Sequence, residues 1–141
     1  MSEIDFWNII NSAKAFIPND IDKQRDYIEN ILSKHAIKDI REFNNISETL
    51  ISRARDKGIH EFLCDVFKDE ISNNTFDFFM GWLILQGSAL YNHTIKDPSF
   101  LKEVIEINFN TDLSILTCEG AIHMASSAYE IKTGRNYFED F

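Results

Sequence analysis

Apolar residues recur along this chain at spacings of three and four, the period of a helix that buries one face. The first such stretch follows Ser2, a typical N-cap residue, and ends before Pro18, because the residue preceding a proline avoids the helical region. A second helix is predicted over about 20–33 and a third over about 37–57. Gly58 then stands where helices commonly end.

A fourth helix is predicted over about 59–70, and the polar run Ser72–Thr75 forms a turn that caps a fifth. The fifth helix is predicted over about 75–94, and it is apolar on nearly every side. Its apolar residues are Phe76, Phe78, Phe79, Met80, Trp82, Leu83, Ile84, Leu85 and Leu90. A helix that is apolar all round is buried all round. We therefore expect it to be the central element of the fold.

The remainder of the chain predicts two more helices. Asp97-Pro98 starts a short helix to about residue 105, and a last helix covers about 117–132 before Gly134. The stretch 106–114 is compatible with a short strand or an ordered loop. The chain has no internal repeat and no linker. We predict one all-α domain over 1–141, a bundle of six to seven helices around the buried helix at 75–94.

The charge of the chain narrows the class of partner. Its 141 residues carry a net charge of −9, which argues against nucleic acid because phosphate binding needs clustered Lys and Arg. The half from residue 71 holds 4 of the 14 basic residues and 9 of the 23 acidic ones. Such a surface either keeps the protein soluble or docks a basic partner.

Targeting and membrane signals are not apparent. Two of the first five residues, Glu3 and Asp5, are acidic, whereas a signal peptide would carry positive charge there. The longest apolar stretch, residues 76–91, is shorter than the roughly 20 residues that span a bilayer, and it contains Asp77, Gln86 and Ser88. We expect a cytoplasmic protein that does not bind membranes, with Cys64 and Cys118 as reduced core residues.

Catalytic and metal-binding motifs are equally hard to find. The four histidines lie in four different segments, and none has metal-ligand spacing. Acidic neighbours of both cysteines would raise a thiol pKa, which disfavours a nucleophile. We predict no catalytic residue, no metal and no cofactor, and a protein that is more consistent with binding than with catalysis.

Two glycines interrupt the apolar helix at positions 81 and 87, where each is less favourable than alanine by about 1 kcal/mol. One interpretation is close packing against the small residues of the last helix, Ala121, Ala125 and Ala128. The other is a cleft beside the helix. The candidate binding residues of such a cleft are Asp77, Trp82, Gln86 and Tyr91.

Four features in order carry a family resemblance. They are Phe6-Trp7, the block from Phe76 to Gly87 with Tyr91, Asp97-Pro98, and the ending Ala128-Tyr129-Glu130-x-Lys132-Thr133-Gly134. Over nearly its whole length the chain resembles the bacterial domain-of-unknown-function family numbered forty-two forty. The resemblance implies no activity.

The chain departs from the pattern of that family at one turn. The family pattern has a Gly-Gly-Cys-Ser-Asp-Asp type turn before the central Phe and an Arg just before the Trp block. Here Ser72 is followed by Asn73 and Asn74, and Met80 stands at the position of the arginine. The resemblance therefore implies that this member has lost charge at the turn, which favours a structural or binding role over catalysis.

Three hypotheses follow. The first is a non-catalytic, acidic protein-binding module, of the kind represented by immunity proteins and antitoxins, that docks onto a basic partner. The alternative is a small-molecule-binding protein or enzyme with a cleft beside the central helix. The third is a homo-oligomer with a structural role, suggested by 12 phenylalanines.

Overall fold

Helices account for nearly all of the chain that the structure describes. The computed structural model describes residues 1–109 and 123–141, and no β-strand occurs in these ranges. The predicted all-α fold is confirmed. The helices are α1 (Glu3–Phe16), α2 (Ile21–Ser33), α3 (Ile37–Asp56), α4 (Ile59–Phe67), α5 (Asn73–Leu85), α6 (Ser88–Lys96), a 3-10 turn (Pro98–Phe100), α7 (Leu101–Phe109), α8 (Met124–Thr133) and α9 (Tyr137–Asp140).

Side-chain caps explain why several helices begin where the sequence predicts. The hydroxyl of Ser2 accepts a hydrogen bond from the Asp5 backbone amide at 3.1 Å, and the Asp5 carboxylate accepts one from the Ser2 amide at 2.9 Å. Asp20 caps α2 and Ser72 caps α5 in the same local manner. Each cap satisfies an amide that the helix itself leaves without a partner.

The predicted single helix over 75–94 is wrong, because the chain breaks at Gly87. This glycine has φ of 106° and ψ of 168°, a conformation that is accessible almost only to glycine. The following amide, on Ser88, donates to the side-chain oxygen of Asn11 in α1 at 3.0 Å. Apolar residues lie on both sides of Gly87, and a single glycine inside a helical pattern is tolerated, so periodicity alone could not reveal the break between α5 and α6.

Helix α5 is the buried centre that the sequence predicts, although it is shorter. Every residue from Phe79 to Leu85 is buried, as is Phe76. Helices α1, α2 and α6 pack against α5, and α8 packs chiefly against α2 and α3. Within the described ranges, no helix combines the length and apolarity that crossing a bilayer requires.

Gly87 does not mark the packing against the last helix that the sequence suggested, whereas Gly81 lines a cleft together with Met124 of that helix. A side chain at Gly87 would point at α1, because an added Cβ would lie 3.1 Å from the Asn11 oxygen. Ala125 and Ala128 are buried, but their helix packs chiefly against α2 and α3. Ala121 lies outside the described residues.

Three predicted boundaries also change. Helix α4 ends at Phe67 and not near residue 70, because Lys68 adopts the left-handed conformation with φ of 55°. Residues 106–109 continue α7, so they form neither a strand nor a loop, while 110–114 lie outside the described residues. The described part of the last helix begins at Met124, and its predicted start at 117–122 is also outside.

The C-terminal tail is docked onto α8 and α3. Arg135 donates to both carboxylate oxygens of Asp140, at 2.8 and 2.6 Å, and the Tyr129 hydroxyl donates to the same carboxylate. The Arg41 guanidinium lies 4.3 Å from the centroid of the Phe141 ring. Hydrogen bonds from Arg135, and then from Tyr129, lower the pKa of Asp140 to about 2.

We predict that replacing Gly87 by Ala destabilises the protein by about 2 kcal/mol or more, because alanine disfavours this φ and its Cβ meets Asn11. Chemical denaturation measures the loss. Gly134→Ala is the matched control, since Gly134 has φ of 70° with open space around it. Its expected loss is about 1 kcal/mol. An equal or smaller loss for Gly87→Ala would contradict this account of the break.

A second prediction concerns pH and the tail. Because folding lowers the pKa of Asp140 from 3.8 to about 2, this contribution to tail docking is present above pH 4 and is lost as the pH falls towards 2. Carboxyl-carbon NMR should place the titration midpoint of Asp140 near 2. Arg135→Gln should raise it more than Tyr129→Phe does. A midpoint near 3.8 in the unmodified protein would show that the tail is undocked.

Candidate functional site

The four residues that the sequence singled out do not converge on one site. Trp82 and Gln86 line the same surface pocket near the end of α5. Asp77 lines a different cleft near the start of α5. Tyr91 follows the break at Gly87 and is completely buried. The structure therefore brings Trp82 and Gln86 together. Asp77 and Tyr91 lie apart from that pair and from each other.

Tyr91 is part of the core. Its hydroxyl donates to the backbone carbonyl of Leu50 in α3 at 2.6 Å, and its ring lies 5.4 Å from that of Trp7, centroid to centroid. Burial raises the pKa of Tyr91 to about 12. A side chain that is enclosed and satisfied in this way joins α6 to α3 and α1, and it is not available to rim a cleft.

Asp77 lies in a cleft of about 440 Å³ between α3 and α5, which we call the α3–α5 cleft. The described residues that line it are Asn44, Ser47, Glu48, Ile51, Ser52, Arg55, Asp77, Gly81, Ile84, His123, Met124 and Phe138. The carboxylate of Asp77 accepts a hydrogen bond from the Arg55 guanidinium at 3.3 Å. That guanidinium also lies 4.9 Å from the centroid of the Phe76 ring.

The α3–α5 cleft has an apolar floor and a polar rim, which is the usual composition of a recognition site. Asp77 pairs with Arg55, whereas the Glu48 carboxylate accepts a hydrogen bond from the neutral Asn44 amide at 3.2 Å. No hydrogen bond between described side chains of this cleft joins a nucleophile to a base.

The second pocket, of about 300 Å³, lies where the α1–α2 connection meets the end of α5. We call it the Lys14 pocket. Its described lining residues are Lys14, Pro18, Asn19, Asp20, Ile21, Gln24, Trp82, Gln86 and Asn108. Lys14 donates to the Gln86 side-chain oxygen at 2.8 Å, and the Gln86 amide donates to the Trp82 carbonyl at 3.4 Å. Sequence reasoning found Trp82 and Gln86 but missed Lys14 and Gln24.

The clearest charge asymmetry lies on α4 and the turn after it. Four exposed acidic residues there, which we call the α4 acidic surface, are Glu61, Asp65, Asp69 and Glu70, and one exposed basic residue, Lys68, lies among them. None of them lies within 4.0 Å of a basic group among the described residues. Residues 110–122 contain no Lys, Arg or His. Acidic residues of the first three helices are paired more often, as Glu3 is with Arg53 and Glu29 with Arg25.

The α4 acidic surface borders a shallow pocket of about 470 Å³ lined by His60, Glu61, Cys64, Glu70, Ile71 and Ser72. The His60 Nε2 lies 2.6 Å from the Ile71 carbonyl oxygen, and the imidazole stacks on the Phe76 ring at 4.7 Å. Because a carbonyl only accepts, Nε2 carries the proton in this bond. The imidazole thereby holds the turn after α4 against α5. Cys64 is half-buried here and is not among the fully buried residues, unlike the core position that the sequence predicted, and Cys118 lies outside the described residues.

Metal ligation finds no obvious place in the described ranges, where no three His, Cys, Asp or Glu side chains converge. The imidazoles at 60 and 93 stack on phenylalanine rings, and His123 lines the α3–α5 cleft. The fourth histidine, His35, lies 3.6 Å from the Asp39 carboxylate.

We predict that Tyr91→Phe destabilises the protein by about 1–2 kcal/mol, because it removes a hydrogen bond made inside the core. Tyr27→Phe is the control, since Tyr27 is half-buried, and a change within about 0.5 kcal/mol is expected there. Denaturant unfolding followed by circular dichroism measures both. Equal stabilities of the two variants would show that the Tyr91 bond contributes nothing.

Comparison with known proteins gives one result. A family model described as "Protein of unknown function (DUF4240)" matches residues 1–131, which leaves only the docked tail beyond the match. No curated protein and no solved structure matches the chain significantly. Because the match covers α1 to α7 and most of α8, the chain belongs to the DUF4240 family of proteins of unknown function.

Proposed function

We propose that this protein is a non-catalytic binding module that docks onto a basic partner protein through the α4 acidic surface. The observation that supports it is the group of four exposed carboxylates, Glu61, Asp65, Asp69 and Glu70, which outnumber the one exposed lysine among them, Lys68, and form no ion pair with a described basic group. Charges that a protein leaves unpaired on one surface are free to attract an oppositely charged partner.

The acidic charge of the chain affects its association with a partner more than it affects the stability of the fold. The net charge of −9 repels other acidic proteins and attracts basic ones from a distance. At physiological ionic strength this attraction is screened beyond about 8 Å, so the local carboxylates determine where a partner docks. Such charges mainly raise the association rate and select the partner.

Apolar contacts next to the carboxylates would supply affinity. On α4 the side chains of Phe62, Val66 and Phe67 are half-buried, so each still presents part of its surface. In the shallow pocket, Glu61 and Glu70 lie beside Cys64 and Ile71. An arginine of a partner suits this combination, because its methylene stem packs on apolar atoms while its guanidinium binds carboxylate.

An immunity-like or antitoxin-like role fits this proposal. Proteins of that class are small and acidic, and they neutralise a basic enzyme by covering it. The correspondence is one of size, charge and absence of converging catalytic groups among the described residues, and it is an analogy of class. In this proposal both proteins act in the cytoplasm.

The alternative is a small-molecule-binding protein, and the α3–α5 cleft is the observation in its favour. Its volume of about 440 Å³ lies within the range of small-molecule sites. The Arg55–Asp77 pair closes one part of its rim, and Ile51 and Ile84 supply apolar lining. One of the two carboxylates of this cleft, Asp77, already has a cationic partner, whereas none of the four α4 carboxylates forms an ion pair with a described basic group, and this difference favours the docking proposal.

The proposal is tested by isolating the tagged protein from its own cells and identifying any basic protein that copurifies stoichiometrically. The purified partner is then titrated with a variant that carries Glu61→Gln, Asp65→Asn, Asp69→Asn and Glu70→Gln. Loss of four interfacial charges should weaken binding by about tenfold or more. Added salt should weaken the unmodified complex more than the variant complex.

The matched control neutralises four exposed acidic residues elsewhere, with the substitutions Asp22→Asn, Asp26→Asn, Glu130→Gln and Glu139→Gln. Both variants carry the same net charge, so only the position of the charge differs. The control should bind nearly as well as the unmodified protein. Equal weakening of both variants, or the absence of any stoichiometric basic partner, would refute the proposal.

A further inference from the structure

We propose that the Lys14 pocket binds a free α-amino acid, with Lys14 holding the carboxylate and Asp20 and Gln24 receiving the ammonium group. This inference is independent of the docking proposal, because it rests on α1, α2 and α5 and not on α4. Four observations lead to it: an ammonium group without an acidic partner, a buried acceptor without a donor, a local pair of opposite charges, and an indole at the wall.

The Lys14 ammonium group is held in the pocket by neutral acceptors only. It donates to the Pro18 carbonyl oxygen and to the Gln86 side-chain oxygen, each at 2.8 Å. No described carboxylate lies within 4.0 Å of it. An ammonium group has three donors, so one remains for a ligand together with the whole positive charge. Partial burial lowers the pKa of Lys14, which is the expected result for a charge without a counter-ion.

Gln24 is the buried polar group that points to a ligand. Its side chain is 1% exposed, and its amide nitrogen donates to the Ile17 carbonyl oxygen. Its side-chain oxygen has no hydrogen-bond donor. Buried acceptors are nearly always satisfied, so this oxygen calls for an N–H or O–H group in the pocket.

The two unsatisfied groups line the same pocket. Lys14 donates to the carbonyl of residue 18 and the Gln24 amide donates to the carbonyl of residue 17, so both side chains are anchored on consecutive peptide groups. Consecutive Cα atoms lie about 3.8 Å apart, a distance on the scale of one amino acid. A ligand that satisfies both must carry an anionic oxygen and a donor close to each other.

The charges of the pocket select the ligand class. Lys14 and Asp20 are the charged residues among those described in its lining, and they have opposite sign. A simple anion would meet Lys14 favourably but would be repelled by Asp20. A zwitterion satisfies both, and the carboxylate and ammonium groups of an α-amino acid are separated by one carbon. Trp82, which is 8% exposed, offers an apolar wall for the side chain of the ligand.

The probe is L-alanine and each of the other common amino acids, added singly at millimolar concentration to the full chain. Binding is followed by proton–nitrogen NMR of the side-chain amides of Gln24 and Gln86 and of the Trp82 indole. At least one amino acid should produce saturable shifts confined to these groups. L-lactate and acetate serve as comparison ligands, since the first lacks the ammonium group and the second lacks any donor.

Lys14→Gln should weaken binding by about tenfold or more, because the carboxylate loses its only positive partner there. Lys132→Gln, at an exposed position on α8, is the matched control and should bind as the unmodified protein does. If Lys14→Gln fails to fold, Gln24→Leu replaces it, since it removes one of the two acceptors of the ammonium group and should reduce the preference for amino acids over acetate.

Three results would overturn the inference. The first is that no amino acid produces a saturable shift. The second is that lactate or acetate binds as tightly as the best amino acid, which would remove the role of the ammonium group. The third is that Lys14→Gln and Lys132→Gln bind equally. None of these results bears on the α4 acidic surface, so failure here is distinguishable from failure of the docking proposal.

Discussion

The structure depends on the burial of α5. From Phe79 to Leu85 every residue of this helix is buried, so other elements must cover nearly all of its surface. Burying a large apolar side chain stabilises a fold by about 1.5–3 kcal/mol, and α5 brings several such side chains to one place. The surrounding helices are therefore amphipathic, and each turns its apolar stripe towards this centre. The break at Gly87 allows the chain to leave the centre and to return as α6.

The burial of α5 also determines where polar chemistry occurs. Because the middle of the helix is enclosed, its polar side chains can reach solvent only towards its ends. Asp77 lies near the first end and pairs with Arg55, while Gln86 lies at the last end and pairs with Lys14. Two separate candidate sites result, and a continuous cleft along the helix does not form.

The acidic residues of the first helices and those of α4 make different contacts. Acidic residues of the first helices cap helices or form ion pairs, as Asp5, Asp20 and Glu3 do. The four acidic residues of the α4 acidic surface form no ion pair with a basic group among the described residues. Exposed ion pairs contribute little to stability, so leaving the α4 carboxylates without an ion pair costs the fold little free energy. These carboxylates are then available for a partner. Net charge alone could not show this, because it counts paired and unpaired carboxylates alike.

The sequence by itself determined the helices, because caps such as Ser2 and Asp20 and the spacing of apolar residues act over a few positions of the chain. It also determined that the segment around Trp82 is buried, since this segment is apolar on nearly every side and has no polar face to turn towards solvent. Only the tertiary structure decided that Gly87 breaks this segment, because the Ser88 amide after the break donates to the side chain of Asn11, which lies in α1. Likewise, it alone brought Lys14 to Gln86 across 72 positions of the chain. Local patterns specify elements, whereas a site needs groups that meet only after the elements have packed.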